Sequence, residues 1–245
     1  NTQDFGKYNI AQRDVQSFWN IFHCSRKLEG NNGRITGKYC KSRLCIVCNS
    51  IRTAVLMNRY NPIIESWGDD VYFVTLTIEN VKGLLLKDSV KEMQSIIRRV
   101  QGRIKKQLQR SDSPKMQGLR KFECTYNPKR CDYHPHYHLM IKGKENARLF
   151  RKYWVWGVGQ SDLINCKLVG KSRTGKRVFL QDIRKADKGA TKELFKYFTK
   201  IISSTDDKKL IYCDSLHTIF QAIKGTRTFQ NFGFKLPKEE KIKIE

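Results

Sequence analysis

Apolar positions in this chain repeat with two periods. Val90, Met93, Ile96, Ile97, Val100, Ile104 and Leu108 recur at helical spacing with basic residues between them, which predicts a long amphipathic helix over 88–110. "VYFVTLTI" (71–78) is rich in β-branched and aromatic residues and predicts a strand. "LRKFECTY" (119–126) and "HYHLMIKG" (136–143) predict two more, joined by the polar turn "NPKRCDYHP". Shorter helices are expected at 14–23, 49–66, 145–158, 192–203 and 214–224, with Pro62 kinking the second or marking a new start. Weaker strand patterns fall at 161–169 and 177–184; "EGNNGRITGKY" reads as a loop, and the chain beyond 224 as an irregular basic tail. No internal repeat is present. The order predicts an α+β fold, a central antiparallel β-sheet with packed helices, preceded by a cysteine-bearing module.

Composition narrows the partner. The chain has 245 residues with 39% hydrophobic content, enough for a real core. It carries 48 Lys and Arg against 23 Asp and Glu, a net +25 spread along its length. An excess of that size repels itself and calls for a polyanion, most often nucleic acid. No run of about 18 apolar residues occurs, so no membrane-spanning helix is expected. The opening "NTQDFGKYNIAQRD" has neither the basic nor the apolar region of a secretory signal, which points to a reducing cytoplasm.

Three of the five histidines, His134, His136 and His138, occupy alternate positions just before an apolar run. On a strand such residues share one face, so their imidazoles can converge on a divalent cation. Two imidazoles need a third ligand. Glu123 can reach the same face if 119–126 and 136–143 form a hairpin; His134 competes for the place, although Pro135 interrupts the ladder there. A nitrogen-and-oxygen site with open positions suits Mg²⁺ or Mn²⁺ acting on a phosphodiester.

A phosphodiester also needs a nucleophile. In "KELFKYFTK" Glu193, Tyr197 and Lys200 fall at i, i+4 and i+7, one stripe of a helix. Tyr197 attacking phosphorus would form a phosphotyrosine ester; Glu193 can serve as general base and Lys200 can stabilise phosphoryl charge. The same stripe also suits ordinary ion pairs around a packed tyrosine.

Cys40, Cys45 and Cys48 are spaced C-x4-C-x2-C, and Cys24 is the natural fourth ligand of an all-thiolate structural Zn²⁺ site, with His23 as a substitute. Free thiols or a redox pair are the alternatives. Cys124, Cys131, Cys166 and Cys213 read as packing residues. Arg43 and Arg52 flank the module and suit DNA phosphates, or plain solvated surface. Trp154 and Trp156 could stack on unpaired bases, but in an apolar helix tryptophans are more often core.

"FVTLT" (73–77), "HPHYH" (134–138) and "ELFKYFTK" (193–200) stand in the order of the three motifs of HUH endonucleases. The chain resembles the rolling-circle replication initiators of small bacterial plasmids, in the branch with a glutamate four residues before the tyrosine and an upstream cysteine motif, here "CKSRLCIVCNSIR" (40–52). The likeness runs over roughly 24–233; Ile46 stands where relatives often have Pro. It implies an N-terminal helical and zinc-binding region (1–66), an HUH endonuclease domain (67–235) and a charged tail (236–245). It implies metal ligation by His136 and His138 with Glu123 as third ligand, and nicking of one origin strand by Tyr197, which keeps the 5′ phosphate. Glu193 matches the residue that activates water in the terminating cleavage, and Lys200 the basic residue after the tyrosine. Implied partners are plasmid origin DNA, single-stranded or as a hairpin, with host helicase and polymerase in a bacterial cytoplasm. A transposase or relaxase with the same chemistry, or a non-catalytic zinc-stabilised DNA-binding regulator, are the competing readings.

Overall fold

The three strand-forming runs pair into one antiparallel sheet in a computed structural model that describes residues 12–26, 28–31, 34–167, 169–171, 177–195 and 213–236. In chain order these residues form α1 (Gln12–Phe22), the hairpin β1 (Leu28–Asn31) and β2 (Arg34–Gly37), α2 (Ile46–Ser66), β3 (Val71–Thr77) and α3 (Gly83–Arg110). Then come β4 (Gly118–Asn127), β5 (Asp132–Lys142), α4 (Lys144–Val158), the short strands β6 (Val169–Lys171), β7 (Arg177–Phe179) and β8 (Ile183–Lys185), α5 (Lys188–Phe195), α6 (Cys213–Ile223) and β9 (Phe229–Phe232). The principal sheet has the order β8-β3-β5-β4-β9. The α+β class expected from the sequence is the class observed.

Strand parity divides the apolar residues between the two sheet faces. Val74, Leu76, Phe122, Tyr137, Leu139 and Ile141 face α3, α4 and α6, and form the larger core with Val90, Ile97, Phe150, Trp154 and Ile219. Phe73, Leu119 and Met140 face the other way and pack on Tyr60 and Ile64 of α2 and Leu194 and Phe195 of α5. The C-terminal half of α2 therefore anchors the cysteine-bearing N-terminal half to the sheet.

The β4–β5 hairpin turns on local chemistry. Asn127 Oδ1 accepts hydrogen bonds from the Lys129 and Arg130 amides at 3.0 and 3.3 Å, Pro128 presets the bend, and Cys131 takes a left-handed φ of 49°. Pro135 is tolerated inside β5. Tyr133 exchanges both backbone bonds with Val81, so the missing Pro135 N–H falls on that same side, beyond the last β3 pair, Thr77 with His136.

Several local expectations give way to tertiary context. "EGNNGRITGKY" contains a hairpin rather than a loop, and the tail contains β9, which adds to β4 as an edge strand. Residues 161–167 make no strand: Ile164 is buried, and Asn165 and Lys167 spend their carbonyls on Glu79 and Gln181. α2 runs through Pro62 unbroken, held on either side by buried Tyr60 and Ile64. α3 begins five residues early, with Leu84 almost wholly exposed. The helix expected over 192–203 is described only as far as Phe195.

Candidate metal centre

Alternation along two paired strands assembles a polar cluster on the α2/α5 face. Lys121 and Glu123 share parity with Leu119, and His136 and His138 with Met140, so all four side chains point to the same side. The β4–β5 register sets Glu123 directly opposite His136 and Lys121 opposite His138. Glu123 Oε2 lies 3.5 Å from His136 Nε2 and 3.7 Å from His138 Nε2. Ligating atoms of these three residues all lie within 4.8 Å of one another, a spacing one divalent cation can bridge.

Each ligand candidate is held by a second contact. His136 Nδ1 lies 3.0 Å from the His134 carbonyl, which can only accept, so Nδ1 carries a proton and Nε2 is the ring nitrogen turned to Glu123. His138 Nδ1 lies 3.3 Å from Thr75 Oγ1 on β3, and its ring packs on Phe73. Glu123 Oε1 is paired with Lys121 Nζ at 2.5 Å, leaving Oε2 to the imidazoles. Gln181, fully buried, grips the Thr77 backbone N–H and carbonyl at 2.9 Å each and ties the end of β3 to the segment before β8.

The electrostatics favour cation binding. Burial by itself would raise the Glu123 pKa, but the His136 hydrogen bond, the Lys121 charge and the two imidazoles outweigh it and hold the carboxyl at about 2. Burial pushes His138 down to about 4, reinforced by His136 and Lys121 against the pull of Glu123 and Glu193. At neutral pH the site therefore offers an ionised carboxylate and a neutral His138. The Glu193 carboxylate on α5 lies close enough for its charge to act on His138. Tyr197 and Lys200 lie outside the described residues.

The competing third ligand, His134, is engaged elsewhere. Its Nδ1 lies 2.9 Å from Asn80 Oδ1, Asn80 in turn donates to Asp132 at 2.7 Å, and its ring stacks on His136 at 5.0 Å. Of the two carboxylate and imidazole options left open by the sequence, the structure brings Glu123 to the pair. Thr75, Lys121 and Gln181 went unnoticed in the sequence. The parity of Thr75 within "FVTLT" and of Lys121 beside Glu123 was the available signal.

A second cluster joins Cys24, Cys40, Cys45 and Cys48, again with all ligand atoms within 4.8 Å. The Cys24–Cys48 and Cys40–Cys48 sulfurs are 3.5 and 3.6 Å apart, too far for a disulfide and near the roughly 3.8 Å edge of a tetrahedron with metal–sulfur bonds of about 2.3 Å. Backbone N–H groups of Cys40, Lys41 and Cys48 point at Cys24, Cys48 and Cys45 sulfurs, at 3.5, 3.2 and 3.5 Å. Ser25 and Lys41 take left-handed φ values of 62° and 56°, which bend the chain after Cys24 and Cys40. Cys45 caps the N-terminus of α2, whose dipole favours thiolate there. The four residues fit a tetrahedral cation. His23 packs instead against Trp19 and Phe22.

Arg43 and Arg52 brace this module. Arg43 donates to the Thr226 carbonyl at 2.6 Å; Arg52 donates to Asn49 Oδ1 at 2.6 Å and to the Lys41 carbonyl at 3.0 Å. With Lys121, Leu194 and Phe229 both line a cavity of about 50 Å³, which sets the cysteine module next to the Glu123 cluster.

A model of the protein family described as "Replication protein" matches residues 34–241. A Protein rep of Bacillus amyloliquefaciens is 27% identical over 218 residues, covering 81% of this chain and 62% of that protein. A Protein rep of a Bacillus sp is 26% identical over 223 residues, covering 81% and 71%. One of Staphylococcus aureus is 31% identical over 122 residues, covering 47% and 50%. The chain thus spans less than two thirds of the first of these relatives. No solved structure matches.

The pKa directions predict how the cation-free protein responds to acid. Burial also pushes His134 down to about 4, so both it and His138 refuse protons that unfolded imidazoles, with an ordinary value of 6.5, accept. The unfolded chain then binds more protons between those values, and stability falls as pH drops through that window. In chelator-treated protein the melting temperature should decline between pH 6.5 and 4, less steeply in His138→Gln. A melting temperature independent of pH across that range would contradict the burial of these rings.

Proposed function

We propose that this chain, which belongs to the replication protein family, initiates rolling-circle replication of a plasmid by nicking and rejoining one strand of its origin through Tyr197. The observation that carries the reading is the Glu123–His136–His138 cluster lying within electrostatic reach of Glu193, four residues before Tyr197 in the sequence. A hard divalent cation, Mg²⁺ or Mn²⁺, bound by the three would polarise the scissile phosphate and neutralise charge that builds on its oxygens.

The chain's own residues supply the rest. The Tyr197 oxygen attacks phosphorus as its phenol proton passes to solvent, the bond to the 3′ oxygen breaks, and that oxygen takes up a proton from solvent to leave a free 3′-OH as primer. The tyrosine ester keeps the bond energy for rejoining. Lys200, three residues on, offsets phosphoryl charge. Glu193 takes the proton from the water or hydroxyl that attacks in the terminating step. Lys121 fixes one oxygen of Glu123 and leaves the other for the cation. The strand must be unpaired to reach the site, as in an extruded hairpin, and a host helicase and polymerase would extend the primer.

We also infer that the four cysteines hold a structural Zn²⁺. The thiolate donor set excludes a hard cation in favour of a soft or borderline one, and the segment carrying it has little apolar core besides the cysteines, Ile21 and the helix face they touch.

Two experiments test this. Incubation with single-stranded origin-like oligonucleotides and Mn²⁺ should give a covalent protein–DNA adduct that chelator abolishes and Tyr197→Phe eliminates, a loss of at least about 10³-fold if the nucleophile is unique. An adduct surviving in Tyr197→Phe would move the nucleophile to another residue. For the cysteines, elemental analysis of purified protein should show one equivalent of zinc, lost in Cys48→Ser together with a drop in stability of several kcal/mol, of the order set by a structural zinc site. Full stability without zinc would refute the assignment.

A further inference from the structure

The sheet face opposite the metal cluster carries a feature that nicking does not use. From 93 to 111 the chain holds six basic residues, Arg98, Arg99, Arg103, Lys105, Lys106 and Arg110, and no acid. Four of them, Arg99, Arg103, Lys106 and Arg110, fall at i, i+4, i+7 and i+11, a single stripe of α3 about 16 Å long at 1.5 Å per residue. They line an open groove of about 870 Å³ walled on the α4 side by Tyr153. Arg99 is tied to Glu92 at 3.2 Å, whereas no ion pair engages Arg103, Lys106 or Arg110 among the described residues.

Two details say what the groove accepts. Gly102, mid-helix and exposed, sits on its floor with nothing within 4 Å of where a Cβ would stand, so no packing accounts for the missing side chain. A glycine inside a helix weakens it; here its absence of bulk keeps the backbone open to a close-approaching ligand. The aromatic residues are already committed. The Arg103 guanidinium lies over the Trp156 ring, 3.8 Å from its centroid, and also faces the Tyr153 ring, 5.6 Å from its centroid, while the Tyr153 hydroxyl donates to Gln107 Oε1 at 2.5 Å. Rings so occupied are poor platforms for unpaired bases, which is how single strands are held. A straight row of cations on a rigid helix instead matches a run of phosphates along a duplex.

We propose that this α3–α4 groove is a second DNA site, which binds the phosphate backbone of duplex DNA independently of sequence and of the divalent cation. The proposal rests on the replication reading for its ligand. It separates the two tasks: duplex is gripped on one face of the sheet while the unpaired strand is presented to Glu123, His136 and His138 on the other.

The test measures binding of a fluorescent 30-base-pair duplex of arbitrary sequence, in chelator and over a range of salt, by the full chain and by two variants. Gly102→Glu places a carboxylate on the groove floor without a clash and with better helix propensity. Lys106→Gln/Arg110→Gln removes two cations. Gly102→Glu should bind at least about tenfold more weakly while melting no lower than the parent, and the double variant should lower the slope of log affinity against log salt by about two, one per lost phosphate contact. Parent-like affinity and slope in both variants would overturn the groove. A loss confined to a single-stranded 30-mer, with duplex binding intact, would overturn the choice of duplex. If the parent itself bound no DNA, the replication reading would fall rather than the groove alone. No cleavage occurs in chelator, so the result is independent of the tyrosine chemistry.

Discussion

The register between β4 and β5 is the constraint on which the site depends. Opposing Glu123 to His136 brings one carboxylate and two imidazoles of alternate residues to a common point. A slip of one residue would turn every one of these side chains to the other face and drive Tyr137, Leu139 and Phe122 out of the larger core. The apolar and the polar requirements thus lock the same register, and the Asn127–Pro128 turn closes it from the end. Burial of the two faces by α3 and α4 on one side and α2 and α5 on the other keeps the ligand candidates on a rigid support rather than on a loop.

Such a cluster must offset the burial of its carboxylate. A carboxylate facing two partly buried imidazoles needs positive charge nearby, and Lys121, itself buried, supplies it at 2.5 Å. Hydrogen bonds from the far side of each ring, to the His134 carbonyl and to Thr75, hold the imidazoles in place, so little rearrangement is needed on binding. The cysteine cluster differs: three backbone N–H groups point at its sulfurs and Cys45, at the start of α2, is held below the usual thiol range, while burial raises Cys24 and Cys40. Arg43, whose carbonyl accepts from the Asn49 side-chain amide, links it onward to Thr226 and the main body, which explains why a module with so little core sits in a defined place.

Much of this was legible in residue spacing. Alternating histidines, the β-branched run at 71–77 and the seven-residue apolar series of α3 state their periods openly, and the C-x4-C-x2-C spacing states its chemistry. What stayed hidden was decided by partners distant in sequence. β9 is four residues whose strand character comes from pairing with β4, and β1–β2 is a hairpin in a glycine- and asparagine-rich stretch that composition alone reads as loop. Pro62 sits in a helix because buried Tyr60 and Ile64 hold both flanks. Lys121 looked like one basic residue among 48 and acquires meaning only across the strand from His138. Arg43 and Arg52, for which the sequence leaves phosphate contact and solvated surface both open, make hydrogen bonds to backbone and side-chain acceptors inside the protein.

The most direct measurement of the central claim is calorimetric titration of chelator-treated protein with Mn²⁺ at neutral pH, beside the isosteric Glu123→Gln. The account predicts one site in the parent and an affinity lower by at least about 100-fold in the variant, as loss of a first ligand should produce in a three-ligand site. Equal Mn²⁺ affinity in the two proteins would contradict it, and would place any catalytic cation away from the paired strands.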